Sequence, residues 1–240
     1  TLVLNRRTRP PVLIPGLLLV IYVGGWALWI HQRDIPTTEP EAIDAAARGA
    51  THLEFDEFDQ AATAYTEAIA IDDGFVAAYT GRSIASFLTA NPDFTSTLAV
   101  VDTDGAEVRQ AVEDAERAVE LGNNRDFAGL FTSGLYRFYD GDYDGSVERL
   151  RQAAKVNDRA PEAQLALGAA HLAAGNTDAA RTAMRRGVAL LDPTEQSAEA
   201  RQLAADLFTM LEQVAVAVPE QREAVVDIRT GLAGGEAALS

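Results

Sequence analysis

The chain has 240 residues, 48% of them hydrophobic and 23% charged, with 36 acidic side chains against 20 basic ones and no cysteine. That length holds one elongated array or two ordinary domains, the hydrophobic content argues against a disordered chain, and the lack of cysteine excludes disulfides, thiolate metal sites and a cysteine nucleophile. Beyond the first thirty residues the balance is 17 basic against 36 acidic, a net of −19, which argues against nucleic acid or an anionic lipid surface as partner, since both need a basic face.

The first predicted element is a membrane span. Residues 12–30, VLIPGLLLVIYVGGWALWI, carry no charge, and a helix of that length at ~1.5 Å per residue nearly crosses the ~30 Å hydrocarbon core. Pro10 and Pro11 precede it and Pro15 falls in its first turn, where missing backbone donors cost little; Tyr22, Trp26 and Trp29 suit the membrane–water interface. Arg6, Arg7 and Arg9 lie before the span and only Arg33, beside Asp34, just after it. This bias predicts a cytoplasmic N-terminus, with the rest of the chain on the outer, periplasmic side of an inner membrane. The competing reading is a cleaved signal peptide, whose apolar region is shorter, ~7–15 residues, and ends in a small-residue site. Here the run ends in Ala27-Leu28-Trp29-Ile30, so residues 1–33 are expected to be a short cytoplasmic N-terminus and a retained signal-anchor.

From residue 34 onward the apolar spacing of three and four predicts paired helices. Small residues recur in them at intervals of 12 and 7: Gly49/Ala61/Ala68, Gly134/Ser146/Ala153 and Gly168/Ala180/Gly187. The set Ser83/Ala111/Ala118 is a stretched version, and Gly49 to Ser83 and Gly134 to Gly168 are each 34 apart. Residues 161–193 add Leu167-Gly168, a turn at Gly175-Asn176-Thr177, Ala180, Met184 and a closing Asp192-Pro193; residues 125–158 carry Gly134, Gly141-Asp142-Tyr143 and Ala153; residues 42–74 carry Gly49, Phe58, Ala61, Tyr65 and Ala68. These units resemble the tetratricopeptide repeat, and the likeness covers residues 40–193. The resemblance implies an all-α, helical-hairpin solenoid of about four repeats plus a capping helix over 195–216, and a last helix from Pro219 to about Leu232. The expected organisation is an anchor over 1–33, the solenoid over 34–216 with an insertion at about 89–105, and a C-terminal helix and tail over 217–240. The insertion is the departure from pattern: Ser83 to Ala111 spans 28 residues where the other units take 12, and such a long connection is a candidate for partner contact.

In this family the inner surface is lined by the first helix of each hairpin. In the family register Ile43, Ala46, Ala50 and Leu53 of the first unit face inward, with Thr80 and Ala169 further along. The partner-binding groove is expected to consist of Ile84, Phe87, Phe131, Leu135, Phe138, Tyr139, Leu165 and Leu172, an apolar and aromatic set suited to an amphipathic helix or hydrophobic segment. The alternative is that some of these residues are covered by the insertion or the C-terminal helix of the same chain. The family members that grip acidic chaperone termini use Lys, Arg and Asn in the groove, and those residue types are missing from the set.

Other residues imitate sites. Asp140 to Gly145, DGDYDG, starts like a calcium loop, but the position that needs a bidentate acid is Arg151, and a hairpin turn accounts for the same letters. His52 and His171 hold equivalent positions and read as packing residues, and His31 as interfacial. With no nucleophile elbow, phosphate loop or zinc motif, no catalytic residue, cofactor, metal or small-molecule substrate is expected. The reading is a non-enzymatic, membrane-anchored scaffold or adaptor that binds a partner protein, itself membrane-associated, and helps assemble or hold a membrane complex. Its rival is a permanent accessory subunit of a respiratory, photosynthetic or transport complex, with Gly24, Gly25 and Ala27 allowing close helix approach in the bilayer.

Overall fold

The computed structural model describes residues 37, 39–91, 103, 105–190, 211, 214–215 and 218–236. The expected span at 12–30 lies outside them, and no helix among the described residues is long and apolar enough to cross a membrane. The helices are α1 (Pro40–Glu54), α2 (Phe58–Ile71), α3 (Val76–Ala90), α4 (Ala106–Leu121), α5 (Phe127–Asp140), α6 (Tyr143–Val156), α7 (Pro161–Ala173), α8 (Thr177–Leu190) and, after a 3₁₀ turn at Pro219–Gln221, α9 (Arg222–Glu236), with no strand among the described residues. Each helix from α1 to α8 packs on the next, and α1, α3, α5 and α7 also touch in succession. The result is a tetratricopeptide-like solenoid of four hairpins, with the first helices as the closer-set layer. Of the expected capping helix, only Leu211, Val214 and Ala215 are described; all three are helical, and Leu211 and Val214 join the core along with Val225 and Ile228 of α9.

Three hairpins turn in the same way. Asp56, Gly141 and Gly175 occupy equivalent places and take φ of 57°, 79° and 83°, the left-handed conformation that ends a helix and reverses the chain. One residue later the N–H of Glu57, Asp142 and Asn176 donates to the carbonyl of His52, Arg137 and His171 at 2.9, 2.9 and 2.8 Å. In the second hairpin the equivalent place belongs to Ala90, the last residue of α3. Asn91 after it has φ −129°, so the helix ends without the tight reversal and the chain leaves through the connection 91–105, most of which lies outside the described residues.

What sets the distance between layers is one side chain per hairpin. Tyr65 of α2 is wedged between α1 and α3: a methyl group on Gly49 would stand 2.9 Å from its ring, and one on Gly81 2.3 Å. Leu150 meets Gly134 at 2.7 Å and Met184 meets Gly168 at 2.4 Å by the same measure. In each case the large residue lies 16 positions after its glycine. In the second hairpin both positions are small, Ser83 and, in the register of the large residue, Ala115, both fully buried. Ser83 Oγ donates to the Ala111 carbonyl at 2.6 Å, as Ser146 Oγ does to the Gly134 carbonyl at 2.8 Å, so neither buried hydroxyl is left unpaired.

Gly81→Ala should therefore cost about 1–3 kcal/mol by overpacking. Adding Tyr65→Leu should restore most of that loss, because it recreates the leucine and alanine that occupy the equivalent positions two hairpins later, Leu150 and Ala166. Urea unfolding of the wild type, both single variants and the double variant checks it; additive losses would contradict the wedge.

Candidate protein-binding surface

The eight residues expected to line an open groove are brought together, but as interior. Ile84 and Phe87 lie on α3, Phe131, Leu135, Phe138 and Tyr139 on α5, and Leu165 and Leu172 on α7, and none is more than 7% exposed. The reason is in the helices: α5 is buried from Phe127 through Tyr136 and α7 from Ala163 through Ala170, as expected of helices that are apolar around most of their circumference. Leu165 packs on its own hairpin partner, with its Cδ2 2.6 Å from where a Gly187 methyl would stand. Phe131 stacks on Phe127 with ring centroids 5.8 Å apart, and Phe138 lies edge-on to Tyr139 at 6.0 Å. As a solvent-facing strip, the eight are not what the described structure presents.

Two of them reach an opening. A cleft of about 340 Å³ lies between α3, α4 and α5. Phe87, Tyr136 and Tyr139 form its aromatic side, Val108 and Val112 its aliphatic side, and Thr103, Arg109, Glu113, Arg137, Asp140 and Asp142 its polar lining. Phe87 stacks on both tyrosines, with centroids 4.8 Å from Tyr136 and 5.9 Å from Tyr139. Burial pushes both phenols well above the ordinary tyrosine range, so they are neutral at any working pH. The contribution of α4 was not foreseen. Its signal in the sequence is Val112, an apolar residue on the polar side of the helix, 37% exposed.

The walls of the cleft are held by charge and hydrogen bonds. Arg82 of α3 grips Asp114 of α4 with Nε and Nη2, each 2.7 Å from a carboxylate oxygen, and Gln110 Nε2 adds a bond at 3.1 Å. Tyr136 of α5 donates its hydroxyl to the Ser83 carbonyl of α3 at 3.1 Å. Glu116 of α4 accepts from Ser133 Oγ at 2.7 Å, Arg137 Nη2 at 3.0 Å and Arg149 Nη2 at 2.6 Å, which ties α4 to both helices of the third hairpin. Burial pulls the Glu116 carboxyl upward, but the bonds from Ser133 and Arg137 and the two arginine charges outweigh it and hold the group below the usual glutamate range.

The remaining sequence candidates fall into structural places. Asp142 accepts the Gly145 N–H at 3.0 Å as the cap of α6 and pairs with Arg137 at 2.8 Å. Both contacts lower its carboxyl, the Gly145 bond more. His52 bonds Glu57 across the first turn at 2.6 Å, and Arg137, with its contact to Asp142, holds the same position in the third unit. His171 completes the set, kept easier to deprotonate by burial and by Arg151. His31 lies outside the described residues. Among the described residues, no group of three or more His, Cys, Asp or Glu gathers as metal ligands would.

No protein-family model matches the chain and no curated protein matches it. Solved structures do. The crystal structure of MamA aligns over 79% of this chain and 95% of its own, with 16% identity and a TM-score of 0.51. TTC0263, a thermophilic TPR protein of Thermus thermophilus, aligns over 80% and 98%, with 15% identity and a TM-score of 0.51. YrrB, described as a TPR protein with an unusual peptide-binding site, aligns over 79% and 92%, with 16% identity and a TM-score of 0.50. At these identities the likeness establishes the tetratricopeptide-like fold.

The Glu116 hub predicts a pH dependence. Its folded value lies below its unfolded one, so its stabilisation is complete above about pH 4.3, the unfolded glutamate value, and is lost as pH falls through the lower folded value. The urea midpoint of the wild type should drop between about pH 5 and 3, and that of Glu116→Gln should start lower and drop less. Parallel curves would remove Glu116 from the account.

Proposed function

We propose that the chain is a membrane-anchored, non-enzymatic scaffold that binds a partner protein and helps assemble or hold a membrane complex. The observation that carries the binding half is the cleft between α3, α4 and α5, an apolar hollow with preformed aromatic walls in a fold whose usual product is a recognition surface. The peptide-binding site named for YrrB supports the same reading by analogy of fold. The membrane half rests on sequence: the uncharged run over 12–30 and the arginines before it. Tethering then works by concentration, confining the cleft to the plane in which a membrane-associated partner moves. The solenoid would lie on the periplasmic side.

Two measurements test the halves separately. Leu18→Arg with Val20→Arg, at about 3 kcal/mol per arginine in a bilayer centre, should shift the chain from the membrane to the soluble fraction; retention would sink the anchor. Crosslinking in native membranes followed by purification in mild detergent should return a protein partner. A stoichiometric, salt-resistant companion identifies a permanent subunit, a sub-stoichiometric one an assembly factor, and no crosslinked protein at all removes the scaffold reading.

A further inference from the structure

The cleft pairs an apolar floor with a charged mouth on a strongly acidic chain. Phe87, Tyr136 and Tyr139 are buried and stacked, so an occupant meets a rigid aromatic wall that needs no rearrangement to form. Val112 brings apolar surface out to the entrance. Its volume sits at the lower end of the range of ligand pockets, about 300–1,000 Å³, which suits one or two large side chains and not a folded domain. Its charged lining is Glu113, Asp140 and Asp142 against Arg109 and Arg137. Arg137 and Asp142 pair with one another, and the chain as a whole carries a net charge of −16.

We infer that the cleft receives a protein segment in which one or two large apolar side chains are flanked by lysine or arginine. The inference rests on the scaffold reading and supplies the chemistry of its partner. Apolar burial against the aromatic wall provides affinity, and the flanking cations meet Glu113 and its acidic neighbours. An acidic segment would approach a chain of net −19 beyond residue 30 and be repelled. Rim charges of this kind act on the rate of encounter and on salt dependence more than on the bound-state contacts.

The test is selection of a random dodecapeptide phage library on the full chain in nanodiscs, after depletion on empty nanodiscs. Enriched peptides should carry Leu, Ile, Phe or Met with Lys or Arg within about three positions. A synthetic copy should lose at least about tenfold in affinity, about 1.4 kcal/mol, on Val112→Arg, which charges the mouth. Glu113→Gln should weaken binding at about 50 mM salt and leave it unchanged at about 500 mM. Both residues are exposed on α4, and unchanged circular dichroism keeps the comparison clean. Enriched peptides that bind Val112→Arg as well as the wild type would overturn the site while leaving the scaffold reading in place. Acidic or uncharged consensus sequences, with binding indifferent to salt, would overturn the chemistry. No enrichment over empty nanodiscs would overturn both.

Discussion

The solenoid depends on one packing constraint: a bulky side chain from the second helix of a hairpin must fit where the neighbouring first helices offer almost none. Tyr65 fits because Gly49 and Gly81 both lack a side chain, and Leu150 and Met184 fit against Gly134 and Gly168. Interiors at crystal-like density do not absorb a misplaced methyl group without cost. The sets vary in size, tyrosine with two glycines in one place and leucine or methionine with one glycine in others. The 12 and 7 rhythm of small residues is the trace that this volume rule leaves in the chain.

Where the rule is relaxed, the molecule acquires its distinguishing feature. At the second hairpin, the tight left-handed reversal is replaced by a longer path and the wedge shrinks to Ala115. The space beside α4 is then spanned by longer-range devices: the Tyr136 hydroxyl on the Ser83 carbonyl, the Arg82 fork on Asp114, and Glu116 between two arginines. Asp114 is 2% exposed. A buried carboxylate is tolerated only with its partners in place, so Asp114 requires the Arg82 fork and the Gln110 amide where they stand.

Much of the fold was legible before any coordinates. Each small-residue triplet is buried as its spacing required, and the turns at Gly141 and Gly175 fall where Gly-Asp-Tyr and Gly-Asn-Thr placed them. The surface was less legible. Register assigns Phe131 or Leu165 to the side of a helix away from its nearest partner, but whether that side meets water depends on what else packs there, which no local pattern encodes. The cleft was invisible for a related reason. Its walls come from three helices, and the width between α4 and α5 follows from side-chain sizes some thirty residues apart. Asp114 reads as one more solvated acid on a charged helix, because the arginine that explains its burial is 32 positions earlier.

The ties across the second and third hairpins also bear on how the array comes apart. In a simple solenoid each repeat holds only its neighbours, and melting can begin wherever the local balance is weakest. Here Glu116, Tyr136 and Arg82 link α3, α4, α5 and α6 by side-chain bonds. The first hairpin is held to α3 by the Tyr65 wedge and the fourth is packed around Met184, while their exposed ion pairs, such as Arg48 with Glu67 and Arg181 with Asp227, add little to stability. The cleft therefore sits where side-chain bonds cross several helices at once, so its three walls are tied to one another and not only to their neighbours in the chain.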